Sequence, residues 1–119
     1  MQKDKPYDLE ERTLTFAKTV RAFVKPLPRS VSNQEDAKQV VRAAGSVGAN
    51  YIEANEALGK KDFLMRIKIC RKEAKESRYW LRLIDVGNDA KLEKDRDGLA
   101  REATELMNIF GSIIRKSEK

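Results

Sequence analysis

Histidine is absent from this chain, and cysteine occurs once, at Cys70. Without histidine there is no Ser-His-Asp arrangement, no ordinary general base near neutral pH and no Cys/His zinc set. A single cysteine builds no disulfide framework. The three prolines, Pro6, Pro26 and Pro28, all precede residue 30, so nothing beyond them forbids long helices. Aromatic residues make up only 7% of the chain. No apolar run approaches the ~20 residues of a bilayer span. The first residues, MQKDKPYDLEER, lack the apolar centre of a signal peptide. These absences lead to the expectation of a cytoplasmic, non-enzymatic protein with no cofactor, no metal, no membrane association and no small-molecule substrate.

What is present is charge and helix-forming sequence. Charged residues account for 37% of 119 residues, a length that suits one domain with one core. The net charge is +6, and its position is informative. The segment Lys60 to Arg82 holds nine of the 25 basic residues and three of the 19 acidic ones. That excess equals the net charge of the whole chain. The remainder is balanced.

Apolar residues recur with steps of three and four along four segments, which predicts four amphipathic helices. The first stripe is Leu9, Thr13, Phe16, Val20 and Phe23, behind an N-cap at Asp8 and ahead of the Lys25-Pro26-Leu27-Pro28 stop. The second is Ala37, Val41, Ala44, Gly48, Tyr51, Asn55 and Leu58, with Asn33 as the expected cap. The third is Phe63, Ile67, Cys70, Ala74, Ser77, Leu81 and Ile84, ended by Gly87-Asn88. The fourth is Leu92, Arg96, Leu99, Ala103, Leu106, Phe110 and Ile113, capped by Asp89. Short connections between such helices give an all-α, antiparallel up-down four-helix bundle, one domain over residues 1–119 with frayed ends at 1–7 and 116–119.

The glycines of the second segment need a reason, because each costs a helix ~1 kcal/mol relative to alanine. Gly45-Ser46-Val47-Gly48 matches the G-x-x-G loop of KH domains, but helical register runs through it unbroken, and no strands accompany it. Close approach of a neighbouring helix is the expected reason. Gly59-Lys60-Lys61 is not a phosphate loop of the Walker type: Ala54 occupies the first glycine position and Lys61 replaces Ser or Thr. Glu53, Glu56, Glu73 and Glu76 lack the histidines of a di-iron bundle. Cys70 falls on an apolar stripe and reads as a small buried hydrophobe. Asn50, Glu53 and Asn55 form a polar cluster, with Asn55 on the core stripe. There an amide must be hydrogen-bonded or cost ~1–3 kcal/mol. A register-fixing structural role or a binding pocket both fit it.

The third helix carries two further stripes. Lys68, Arg71, Lys75, Arg78 and Arg82 line one edge with no acidic residue on that edge. Like charges so spaced repel by a few tenths of a kcal/mol per pair. A polyanion would turn that cost into attraction, so these five are the candidate nucleic-acid contacts. An anionic membrane is the poorer fit, because the helix lacks a broad apolar face. Docking of an acidic protein on the same edge, with the chain acting as a scaffold, is the alternative. Met65, Ile69, Tyr79, Trp80 and Leu83 put large apolar groups away from the core stripe. They form the candidate interface of a homo-oligomer.

The blocks DLEERTLTFAKTV (8–20), AAGSVGANYIEANEA (43–57) and KKDFLMRIKICRKEAKESRYWLRLI (60–84) resemble the 23S rRNA intervening-sequence protein family. The resemblance runs from about Tyr7 through the fourth helix. It rests most on Gly48-Ala49-Asn50-Tyr51, Lys61-Asp62-Phe63 and Tyr79-Trp80-Leu81 in that order. It implies a small bacterial bundle, often a homopentamer, with no established enzymatic activity. Some members are encoded inside insertions in the large-subunit rRNA gene. The fold is similar to accessory proteins of diversity-generating retroelements, which work with nucleic acid. Similar sequences often carry Ser, as the cap of the third helix, where this one has Gly59.

Overall fold

A computed structural model describes residues 8–118 of the chain. The expected fraying of 1–7 lies outside that range. Four helices follow one another: α1 (Leu9–Val24), α2 (Val31–Asn55), α3 (Lys60–Leu83) and α4 (Ala90–Ser117). α2 packs on α3, α3 on α4 and α1 on α2, whereas α1 and α4 touch sparsely. Neighbours run antiparallel: Asn50 and Arg42 of α2 meet Arg66 and Glu73 of α3 in reversed order. The longest dimension is 47 Å, and the longest helix is α4. Its 28 residues span about 42 Å at 1.5 Å per residue.

α1 buries the five residues its spacing predicts, Leu9, Thr13, Phe16, Val20 and Phe23. Asp8 caps it, its carboxylate accepting from the Glu11 N–H at 3.2 Å. α3 likewise buries Ile67, Cys70, Ala74, Ser77 and Leu81, with Phe63 half-buried. Asp89 caps α4 by accepting from the N–H groups of Lys91 and Leu92. Phe16, Val20, Val40, Val47, Ile67, Leu81, Leu106 and Phe110 are almost wholly removed from water. Each such side chain contributes about 1.5–3 kcal/mol of hydrophobic stabilisation.

The ends of the helices depart from expectation. Ser30, not Asn33, caps α2: its hydroxyl accepts from the Asn33 N–H at 3.1 Å. Asn33 is instead buried, its amide holding two connections together. Nδ2 donates to the carbonyls of Pro28 (2.9 Å) and Asp85 (2.8 Å), and Oδ1 accepts from the Asp85 N–H (3.0 Å). α2 ends at Asn55, and its buried line runs one residue before the expected stripe, so that Ala37, Val41, Gly48 and Tyr51 are only half-buried and Ala44 alone of the stripe is buried. Asn55 is exposed rather than in the core, and Leu58 is fully exposed beyond the helix. The buried line of α2 is Val40, Ala43, Ala44, Val47 and Ala54. α3 stops at Leu83, ahead of Gly87, which takes φ +69° in the following turn. In α4 the last core position is Ile114 rather than Ile113, and the helix continues through Ser117, into the segment expected to fray.

Only one of the paired glycines is there for close approach. A Cβ on Gly48 would lie 2.8 Å from Thr13 Oγ1 and 3.2 Å from Thr13 Cβ, whereas a Cβ on Gly45 meets nothing within 4 Å. The two alanine variants therefore have opposite expected effects. Gly45→Ala gains ~1 kcal/mol of helix propensity. Gly48→Ala gains the same but pushes α1 off α2, for a net loss of about 1–2 kcal/mol. Urea denaturation of the two variants, three residues apart on one helix, checks the sign of each.

Candidate nucleic-acid interface

The helical period that buries Ile67, Cys70, Ala74 and Leu81 turns the flank holding Lys68, Arg71, Lys75, Arg78 and Arg82 toward α4. Four of the five are exposed, and Arg78 is half-buried with Nη1 donating to Thr104 Oγ1 of α4 at 3.2 Å. Buried Gly111 of α4 opens room beside the stripe: a Cβ there would lie 3.4 Å from Arg115 Nη1 and 3.8 Å from Arg71 Nε. Two guanidinium groups thus share the space above one glycine. Further along, Arg78 and Arg82 face Arg96, Arg101 and Thr104 across a groove of about 510 Å³ that also touches Asp97 and Ala100.

The basic edge is therefore the seam between two helices, and α4 adds Arg96, Arg101 and Arg115 to it. The α4 arginines do not form a stripe of their own, so periodicity alone passes over them. Arg96 falls on the apolar line of its helix. It is half-buried and lines the groove at the seam. There Nε donates to Asp97 at 2.9 Å and Nη1 to the Ile84 carbonyl at 3.4 Å. The seam is not free of acid: Lys68 pairs with Glu118 of α4 at 3.4 Å, so one end of the expected stripe has a carboxylate partner.

Two arginines elsewhere, Arg12 and Arg42, are matched by carboxylates. Arg12 of α1 donates from Nε to Glu102 Oε2 (2.7 Å) and from Nη2 to Glu102 Oε1 (2.9 Å) and Glu105 Oε1 (2.7 Å), clamping α1 to α4. Those bonds raise the guanidinium pKa further above its ordinary value. The clamp crosses a cleft of about 1050 Å³ floored by Phe16, Phe23, Leu92 and Leu99, where the short α1 leaves α4 partly uncovered. On the opposite side Arg42 lies between Glu73 and Glu76 at 3.7 and 3.5 Å. Glu73 is only 6% exposed, and its Oε1 lacks a hydrogen bond. Its burial on the α2-facing flank of α3 is not visible in the apolar pattern.

The other candidate residues divide between surface and interior. Met65, Tyr79 and Leu83 are about half exposed, as a free apolar face requires. Ile69 is half-buried. Trp80 belongs partly to the intrachain core, packed against it and meeting Tyr79 edge-on with ring centroids 5.1 Å apart. In the polar cluster, Asn50 is a helix tie. Nδ2 donates to Ser46 O and Oγ, and Oδ1 accepts from Arg66 Nη1 of α3 at 2.9 Å. Asn55 donates to Glu10 of α1 at 3.1 Å from an exposed position, and Glu53 is exposed. These residues do not converge on a pocket. Cys70 is fully buried, and burial pushes its thiol up to about 12, which keeps it protonated and unreactive at neutral pH. Among the described residues no three His, Cys, Asp or Glu side chains gather as a metal site needs, and no helix is long and apolar enough to cross a membrane.

The sequence model of the 23S rRNA-intervening sequence protein family matches residues 6–112. The chain belongs to this family. A solved structure agrees, described as a protein with unknown function from the S23 ribosomal protein family of Bacteroides thetaiotaomicron VPI-5482. It is 30% identical, with a TM-score of 0.72, over 88% of this chain and 96% of that one. No curated protein matches. Within this 23S rRNA-intervening sequence protein, the match covers all of α1 to α3 and α4 as far as Ser112, including the α3 stripe with Arg96 and Arg101.

Proposed function

We propose that this protein is a non-enzymatic, homo-oligomeric bundle that binds nucleic acid, RNA or DNA, through the phosphate backbone. The observation that carries the reading is the α3/α4 seam. Lys68, Arg71, Lys75, Arg78 and Arg82 line one side, and Arg96, Arg101 and Arg115 come from the other. Eight cations against two paired carboxylates, Glu118 and Asp97, leave an excess of positive charge along the seam, and a polyanion relieves that repulsion while releasing its counterions. Among the described residues no aromatic side chain lines the groove with the cations, so binding is to backbone charge with little sequence preference. The exposed face of Met65, Tyr79 and Leu83 supports self-association, and an oligomer repeats the seam and multiplies its affinity.

Filter binding with RNA and DNA at two salt concentrations tests the reading. Affinity should fall steeply with salt, by a log–log slope of about −3.5 to −4.5 if five cations meet phosphates. Absence of binding at low salt would end it. Sedimentation equilibrium at micromolar concentration should show an oligomer, and a monomer would remove the assembly from the proposal.

A further inference from the structure

The groove between Arg78, Arg82, Arg96 and Arg101 differs from the rest of the seam. Its cations come from two helices and face each other, and every one is arginine. The guanidinium fork matches phosphate oxygens two at a time, which a lysine ammonium does not. Asp97 offsets one charge, through Arg96. Among the described residues no carboxylate lies within ion-pair distance of Arg82 or Arg101, although Arg12 and Arg42 each have two glutamates. Two of the cations are already held: Arg78 by Thr104 and Arg96 by Asp97 and the Ile84 carbonyl. The groove measures about 510 Å³, room for a phosphate and its nucleoside rather than for a duplex. It also lies at one end of the track, since Arg82 is in the last turn of α3.

We infer that this cleft seats a terminal phosphate monoester of the bound strand, so that the protein anchors a nucleic-acid end. The inference rests on the nucleic-acid reading for the polymer and adds the group that is recognised. Four guanidinium groups against one carboxylate leave three positive charges around the space. An internal phosphodiester supplies one negative charge, whereas a terminal monoester supplies about two at neutral pH. It also offers three oxygens to forks arriving from both walls. A strand lying along Lys68 to Arg78 and finishing at Arg82 brings its end to this place.

Two measurements test the cleft separately from the track. In the first, inorganic pyrophosphate is titrated into labelled protein while the arginine Nε–Hε signals are followed by NMR. The signals of Arg82 and Arg101 should move, and unmoved signals overturn the cleft as a phosphate seat whatever the oligonucleotides do. In the second, one single-stranded oligoribonucleotide is compared with a 5′-phosphate, a 3′-phosphate and two hydroxyl ends. A terminal phosphate should tighten binding about tenfold. The Arg82→Gln/Arg101→Gln variant, altered only at exposed positions, should lose that preference. Arg71→Gln should weaken all three oligonucleotides alike. Equal affinity of the wild type for the three overturns the end-anchoring proposal and leaves the nucleic-acid reading standing. No binding of any oligonucleotide at low salt, with pyrophosphate still moving Arg82 and Arg101, overturns the nucleic-acid reading and keeps the cleft as an anion seat without a strand.

Discussion

Replacing Asn33 by alanine should destabilise the fold by about 2–4 kcal/mol, the largest loss expected from any single polar side chain here. The residue is 3% exposed and makes three hydrogen bonds. Truncation leaves the carbonyls of Pro28 and Asp85 and the N–H of Asp85 without their partner, at the point where the α1–α2 and α3–α4 connections meet. The isosteric Asn33→Asp variant separates shape from hydrogen-bonding polarity. It keeps the acceptor for the Asp85 N–H but directs a carboxylate oxygen at two carbonyls. At neutral pH it should be at least as damaging as alanine. Burial and the two carbonyls raise the folded-state pKa of that new carboxyl above its unfolded value. Protonation is then favoured by folding, so the Asp variant is most stable below the ordinary carboxylate range and loses stability as pH rises through the raised pKa. Urea midpoints of the two variants at pH 4.5 and 7 measure the crossover. Equal midpoints for wild type and Asn33→Ala would show that water replaces the amide.

Asn33 also shows where the sequence stops being legible. Ser30 and Asn33 are both good caps three residues apart, and local pattern gives no reason to prefer the serine. The preference comes from Asp85, 52 residues away, which uses the asparagine amide for another purpose. The end of α2 has a similar cause. Asn55 and Leu58 continue the expected stripe in sequence, but packing turns α2 by one residue, so Val40, Ala43, Val47 and Ala54 face inward and Asn55 faces out, while Leu58 lies beyond the helix. The interiors of α1 and α3 were readable because burial there follows a period of 3.6 residues: all five α1 positions and the Ile67-to-Leu81 line of α3 lie where that period puts them, whereas α2 keeps the period with its phase moved by one residue. The seam was half readable. The α3 cations share one helix and one period. Arg96, Arg101 and Arg115 join them only through the packing of α4, and Gly111 matters only because Arg71 stands over the place of its missing Cβ. Glu73 is the converse case, an acid on the α2-facing flank that is buried beside Arg42.

Charge reversal at Arg71 and Arg78 should abolish nucleic-acid binding, a loss of at least about 100-fold at low salt. Stability should not fall with it, and the contrast is what makes the experiment decisive. Arg71→Glu places a carboxylate four residues before Lys75, three after Lys68 and close to Arg115. Arg78→Glu places one four residues before Arg82 and three after Lys75. Glu preceding a cation by four is the favourable orientation on a helix, contributing up to ~0.5 kcal/mol per pair, and each reversal also removes a like-charge repulsion. The one contact given up is the 3.2 Å bond from Arg78 to Thr104. Thermal unfolding of the double variant should therefore match or exceed the wild type while its filter-binding isotherm stays flat. A seam of cations that the bundle holds more easily when some are reversed is kept for something outside the bundle. A double variant that binds as tightly as wild type would mean that the phosphates lie elsewhere. One that binds weakly but also melts earlier would mean that Arg71 and Arg78 serve the packing of α3 on α4. The neutral Arg71→Gln variant completes the series: losing one phosphate contact should flatten the salt slope by about 0.7–0.9. A loss of affinity with the slope unchanged would exclude Arg71 as a phosphate contact.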